Sequence, residues 1–353
     1  MLKRIRTATF RAATLRATAL ASGAVLLATA CNASATKTDG AGSADGRSFV
    51  LVTPDPVAQN DFLKLSVKGI KAAAKTHKGS ARTYESADPS ARAQNLTAAV
   101  KDSPDVVVMV GYEFADLVAK QAKSHPDQQF LLVDTCTLAK FPNVTCATFR
   151  EQEAAYLAGA EAGLLTKSNK VGSVDAEDSP TVHRYSDAFE EGAKKTSAQT
   201  TAATRYVGGD NPYTDSARAK AQASSLISGG VDHIMAAAAA GNYGIFEAAK
   251  AKGVYAYGVD ANQCPAAKGA VVDNVIKKTD VAIEKGVAAI LKGNTGHTIS
   301  YGLKENGMSL TGLESGIEQS GCVIAEHTDV IEKVKALREQ IVSGKLKIDD
   351  PAA

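Results

Sequence analysis

No histidine in this chain lies at metal-ligand spacing from another, and none of its five cysteines forms a CxxC pair. The common zinc patterns are therefore missing. There is no GxSxG, no HExxH, no phosphate-loop GxxxxGK and no sequence cluster of carboxylates, so the usual signatures of hydrolases and nucleotide-driven enzymes are missing too. A hydrolase would need clustered aspartates at calcium-binding spacing or a nucleophile with a general base; neither pattern is found, and the sequence predicts no enzyme and no cofactor. Beyond residue 30 no apolar run approaches the ~20 residues that span a bilayer. A basic surplus is also lacking. The chain has 40 Lys and Arg against 38 Asp and Glu, and residues 1–30 carry five of the basic ones and none of the acidic, which leaves a net −3 beyond them. A nucleic-acid partner would call for the opposite balance.

What is present begins with an export signal. Lys3, Arg4, Arg6, Arg11 and Arg16 make a positive head, followed by an Ala/Leu-rich apolar stretch that stops at Leu27-Ala-Thr-Ala-Cys31. A charged head, a short apolar core and small residues before a cleavage point define a secretory signal over residues 1–30. A Cys directly after them predicts a bacterial lipoprotein acylated at Cys31; an ordinary cleaved signal with an incidental Cys is the alternative. Residues 31–47 are rich in Ala, Ser, Thr and Gly, with no large apolar side chain. They read as a flexible tether with a reach of roughly 20–25 Å. The expected location is the extracytoplasmic face of the cell membrane, lipid-anchored, as a monomer.

From Ser48 onward, short β-branched runs alternate with longer amphipathic stretches. Strand runs are Phe49–Thr53, Asp105–Val110, Phe130–Val133, Lys170–Val174, Thr204–Val207, His233–Ala236, Val254–Val259 and 271–276. Helical patterns lie between them, such as 61–78, 151–165, 181–195 and 279–291. Several strands are apolar at consecutive positions, as when helices cover both faces of a sheet. The fold class is α/β: two doubly wound parallel-sheet lobes joined by a hinge. Residues 48–148 with 272–300 are assigned to the first lobe, and 149–271 with part of 301–345 to the second. Such sheets bind ligands at the carboxyl ends of their strands, so two facing lobes make a cleft that closes by hinge motion. Asp134, Asp260, Gly111 and Tyr112 stand at such strand ends.

Outside the cytoplasm, disulfides become available to the other four cysteines. Cys136 and Cys146, ten residues apart across a Pro-containing loop, are the better pair; Cys264 with Cys322 follows by elimination. Four free thiols are the alternative.

The stretch Asn143-Val-Thr-Cys-Ala-Thr-Phe-Arg-Glu-Gln-Glu-Ala-Ala-Tyr-Leu-Ala-Gly159 resembles the N-V…F-R-E-Q-E-x-x-Y-L-A-G signature of the basic membrane protein family, the purine-nucleoside-binding lipoproteins of ABC transporters. Gly111-Tyr-Glu-Phe-Ala-Asp116, Gly258-Val-Asp-Ala-Asn-Gln263, Asn274-Val-Ile-Lys-Lys-Thr-Asp280 and Tyr301-Gly-Leu-Lys304 follow the family order, and the resemblance covers nearly all of residues 48–315. It implies a type I periplasmic-binding-protein fold, a nucleoside-like ligand held between the lobes, and ABC permease and ATPase partners. The family's S-F-N-Q segment falls on Asp61-Phe62-Leu63-Lys64, followed by the matching Gly69, and makes Phe62 one stacking ring. Its second aromatic falls on Tyr213. Asp134 matches a base-contacting aspartate, and Asp260 with Lys277 matches a ribose-binding pair in which the lysine can neutralise the aspartate. Asp55 follows the first strand in an uncertain register, and Gly111 admits close approach. Leu63 stands where the family has Asn, so a polar reader of the base edge is lost unless Asn60 or Gln59 supplies it. The same cleft also serves a ligand-sensing surface lipoprotein that signals to a partner without a permease.

Overall fold

A computed structural model describes residues 46–352. The signal at 1–30, the acylation site Cys31 and all but the last two residues of the 31–47 tether lie outside the described residues.

In chain order the first lobe begins with β1 (Ser48–Thr53), α1 (Asp61–Thr76), β2 (Ser80–Glu85), α2 (Pro89–Lys101), β3 (Val106–Val110), α3 (Ala115–Ser124), β4 (Phe130–Val133) and β5 (Val144–Phe149). The second lobe takes over with α4 (Glu151–Leu165), β6 (Lys170–Asp175), α5 (Pro180–Thr196), β7 (Thr201–Tyr206), α6 (Ser216–Ser228), β8 (His233–Ala237), α7 (Asn242–Lys252), β9 (Tyr255–Asp260) and β10 (Val271–Lys277). The chain then returns to the first lobe for α8 (Thr279–Leu291) and β11 (Thr298–Tyr301), and ends in the second with β12 (Met308–Leu310) and α9 (Thr328–Val342).

The apolar runs form interior strands because both of their faces are covered. Every residue of β3 is buried. In β1, Phe49 and Leu51 join one apolar cluster, while Val50 and Val52 join another that contains Leu96 of α2 and Val118 of α3. Alternate side chains of a strand point to opposite faces, so one run feeds two cores. The strand β2 was not visible as an apolar run, because this polar edge strand has no fully buried residue.

The two sheets share one topology. Their orders are β2-β1-β3-β4-β5-β11 and β7-β6-β8-β9-β10-β12. The pairings are parallel except for the antiparallel β10–β12 pair at one edge. Crossings between lobes occur at Arg150, at Lys278 and through Gly302–Gly307. The second crossing corrects the lobe boundary read from the sequence. β10 pairs with β9 in the second sheet, so residues 272–277 belong to the second lobe and the return comes after Lys277. An apolar strand run does not say which sheet it joins; its pairing partner does.

The Phe149-to-Gly159 signature ends β5 and runs into α4, and its glycine serves packing. A Cβ on Gly159 would lie 2.0 Å from the Phe189 carbonyl oxygen, and one on Gly192 of α5 would lie 1.9 Å from that of Tyr156. Only bare backbone permits α4 and α5 to approach this closely. Arg150 closes the hinge: it donates to Glu153 at 2.6 Å and to the Ser300 carbonyl at 3.2 Å, and pairs with Glu305. Cys136 is bonded to Cys146 and Cys264 to Cys322. The first link pins the loop after β4 to β5, and the second pins the loop after β9 to the segment before α9. No helix among the described residues is long and apolar enough to cross a membrane.

Candidate functional site

The carboxyl ends of both sheets open onto one cleft. From the first lobe it is lined by Pro54 and Asp55 after β1, by Asn60, Phe62 and Leu63 at the start of α1, by Gly111, Tyr112 and Glu113 after β3, and by Asp134 after β4. The second lobe supplies Thr181, Val182 and Tyr185 of α5, Tyr213, Ala237, Ala239, Val259, Asp260 and Lys277. Phe62, Tyr213, Asp134, Asp260, Lys277, Asp55 and Gly111, chosen from the sequence, are thus brought to one cavity.

Phe62 and Tyr213 come from opposite lobes, and both are partly buried. Phe62 is the second residue of α1, whose N-cap Asn60 accepts from the Leu63 amide at 3.3 Å. That bond uses the Asn60 carbonyl oxygen. Its amide nitrogen has no partner among the described residues, and the residue lines the cleft; Gln59 is exposed and does not. Tyr213 lies in the turn three residues before α6, because Asp215 is the residue that caps that helix, accepting from the Arg218 amide at 2.9 Å. The Tyr213 hydroxyl donates to Glu177 at 2.9 Å, and the Tyr112 hydroxyl reaches the same carboxylate at 3.4 Å. One second-lobe carboxylate thereby joins tyrosines of both lobes at the cleft.

Lys277 is the cation of the site, and it departs from the expected pairing. Its amine forms ion pairs with Asp134 and, at 2.7 Å, with Glu151, and none with Asp260. It also lies 5.2 Å from the Phe62 ring centroid and 5.0 Å from that of Phe149, within cation–π range. The reason is topological. Lys277 ends β10 beside the hinge, where Asp134 of the first lobe and the first residue of α4 are both in reach. Burial alone would depress its amine, but Asp134 and Glu151 outweigh burial and hold it well above the ordinary lysine value.

Asp260 is nearly inaccessible, and its carboxylate accepts no hydrogen bond from the described residues. Burial, reinforced by Asp134, pushes it up to about 7 despite the pull of Lys277. Glu113 is likewise pushed up to about 7 by burial, with Arg92 pulling the other way from 4.0 Å. Arg92 sits behind the cleft and also approaches Asp55 at 3.4 Å. The lining therefore carries four carboxyl groups and one amine, so acceptors for neutral hydroxyl or amine donors predominate.

A second bridge between the lobes involves Asp61, which stands where the family pattern has Ser. Its carboxylate accepts from the Tyr243 hydroxyl at 3.1 Å and from the Gln263 amide at 2.9 Å, both in the second lobe. Sequence reasoning missed this role, together with Glu113, Glu177, Thr181 and Tyr185. Thr181 and Tyr185 had a legible signal, since residues four apart share one face of a helix.

The comparisons with known proteins agree with this architecture. The Bmp family model, described as ABC transporter substrate-binding protein PnrA-like, matches residues 47–350. A CD4+ T-cell-stimulating antigen of Listeria monocytogenes is 30% identical over 72% of this chain and 73% of its own length. The ABC transporter nucleoside-binding protein BmpA of Lactococcus lactis is 27% identical over 96% of this chain and 98% of its own. Among solved structures, an ABC transporter solute-binding protein from Aeropyrum pernix K1 superposes with a TM-score of 0.76 at 24% identity, covering 87% of this chain and 94% of that one. One from Conexibacter woesei gives 0.68 at 21% identity over 86% and 99%. The structural likenesses bear on the fold, and the match of the family model to nearly the whole described chain decides the rest: this protein belongs to the Bmp family of PnrA-like ABC transporter substrate-binding proteins, a family of solute-binding proteins and not of enzymes.

Proposed function

We propose that the chain is the receptor lipoprotein of an ABC importer and captures a nucleoside between Phe62 and Tyr213. The observation that carries this reading is the arrival of two aromatic rings from opposite lobes in one cleft whose remaining lining is rich in acceptors. A flat base stacks on the rings, each contributing roughly 1–3 kcal/mol by analogy with stacking in single-strand recognition. Asp260, with no partner among the described residues, accepts from the sugar hydroxyls, and Lys277 donates from the other side. Charge-assisted hydrogen bonds of this kind contribute roughly 1.5–3 kcal/mol each. Asn60 presents a free amide donor close to the place where Leu63 removes one, so the base edge is still read.

The acidic lining favours an uncharged ligand over a phosphorylated one. Closure brings Tyr112, Glu177 and Tyr213 together and docks Asp61 on Tyr243 and Gln263, which stores ligand binding in the closed form that a permease recognises. Cys31 holds the protein at the outer face of the membrane. The relative from Lactococcus lactis, described as nucleoside-binding, supports the choice of ligand class. A thermal-shift panel of nucleosides, nucleotides, free bases, sugars and short peptides tests the reading, because a tight ligand raises apparent stability by mass action. Nucleosides are expected to give the largest shift; a shift with sugars or peptides and none with nucleosides overturns it.

A further inference from the structure

Behind the cleft, a chain of charges leads away from Lys277 and ends in a segment that lines no part of the cavity. Glu151, the first residue of α4, is completely buried. One of its oxygens lies 2.7 Å from the Lys277 amine, and the other accepts from Arg184 Nη1 at 3.3 Å. The remaining edge of the Arg184 guanidinium is taken by Asp350: Nε donates to one carboxylate oxygen at 2.7 Å and Nη2 to the other at 3.0 Å. Asp350 belongs to the extended stretch that follows α9, in which Leu346 and Ile348 pack against the apolar core. Two parallel bonds from one planar fork fix orientation as well as charge.

We propose that Arg184 and Asp350 are positioning residues for ligand capture: Asp350 fixes Arg184, Arg184 fixes Glu151, and Glu151 fixes the Lys277 amine where the ligand meets it. The inference rests on the reading of Lys277 as a ligand contact. Its physical content is a division of donors. With Nε and Nη2 held by Asp350, the guanidinium meets Glu151 through Nη1 alone, and the other Glu151 oxygen stays with Lys277. Without Asp350 the fork is free to turn both of its donors onto Glu151 and draw it from the lysine. Without Arg184, the buried Glu151 loses one of its two cations. Burial already pushes this carboxyl up against the pull of Lys277, so it takes up a proton and releases the amine. The titratable and charged groups facing Glu151 are Lys277 from β10, Arg184 and Tyr185 from α5, Asp134 from the loop after β4 and Asp260 at the end of β9.

The test uses the full-length protein with Arg184→Met, Arg184→Lys, Asp350→Ala and the neighbouring Asp349→Ala, titrated with a purine nucleoside by calorimetry from pH 5.5 to 8. Arg184→Met is expected to weaken binding by on the order of tenfold and to make it fall further toward acid pH, as Glu151 protonates. Asp350→Ala should weaken it several-fold, Arg184→Lys should recover part of the loss, and Asp349→Ala should change nothing. The Glu151 carboxyl resonance, assigned with Glu151→Gln, should titrate at higher pH in Arg184→Met than in the parent, whatever the ligand. Parent-like affinity in both Arg184→Met and Asp350→Ala, or an unmoved carboxyl titration, overturns the relay. If the parent binds no nucleoside, the reading of the cleft fails and the carboxyl titration alone decides the relay. If Arg184→Met does not fold, the contrast between Asp350→Ala and Asp349→Ala decides it.

Discussion

Asp134 and Asp260 occupy the same place in two different sheets. One follows β4 and the other ends β9, each the third strand from the edge where β11 and β12 sit, and both have left-handed backbone, with φ of 78° and 70°. Few residues other than Gly tolerate this region, and Asp is one of them. Such conformations persist where the surroundings enforce them, often at functional sites. The symmetry ends at the side chains: Asp134 is paired with Lys277, whereas Asp260 is buried with no partner among the described residues.

That difference gives the first prediction. Asp260→Asn removes a buried carboxyl that folding must desolvate, while keeping the shape. The ligand-free protein should melt at an equal or higher temperature, yet bind its nucleoside on the order of tenfold more weakly. Thermal unfolding and calorimetry on one sample check both signs. A stability loss with intact affinity would show that Asp260 serves the fold.

Asp61 should act on closure more than on ligand contact. Asp61→Ala deletes the acceptor shared by Tyr243 and Gln263 and loosens the closed form. The expected result is a larger radius of gyration in small-angle scattering without ligand, and affinity lowered by the fraction of closure-competent protein lost. Unchanged scattering and affinity would rule out the bridge.

Much of this was legible in the sequence, for reasons that differ by element. α4 and α8 were read to the residue, because apolar periodicity ended at clear breaks. β3 and β4 were legible because burial on both faces leaves uninterrupted apolar runs. The edge strand β2 was not, since one exposed side removes the need for such a run. Asp134, Asp260 and Lys277 were found through their motifs and strand ends. The pairing of Lys277 was not, because Glu151 is 126 positions away and meets it only once α4 packs against β10. Arg184, Glu177 and Asp350 were invisible for the same reason: nothing local marks a side chain whose partner arrives from another lobe or from beyond α9.

Stability should respond to pH in two windows. Burial raises Glu113, Asp175, Asp260 and Asp273 to about 7. An acid whose folded value is raised binds its proton more tightly in the native state, so stability declines as pH climbs from about 4 to 7. Asp232, Glu305, Glu314 and Asp350 are held below their ordinary values by hydrogen bonds that outweigh burial. Their contribution is present above about 4 and is lost as pH falls below it. The melting temperature of the ligand-free protein should therefore be higher at pH 5 than at pH 8. A maximum at or above neutrality would contradict the assignment of these buried carboxyls.

The two disulfides close loops of different length, ten residues for Cys136–Cys146 and 58 for Cys264–Cys322. Loop-closure entropy predicts that paired Cys→Ser substitution costs roughly 3 kcal/mol for the first and roughly 4 kcal/mol for the second. Losing the second should also weaken ligand binding, because that disulfide anchors the loop that follows Asp260 and carries Gln263. Denaturant unfolding with calorimetry checks both; an affinity loss confined to the first pair would reverse the assignment.

The most direct test of the stacking arrangement is a calorimetric titration of a purine nucleoside into the parent protein, Phe62→Ala, Tyr213→Ala and the double variant. Each single substitution should weaken binding by at least roughly five- to tenfold, and the double by about the product of the two. Parent-like affinity in both single variants would mean that the ligand does not lie between these rings.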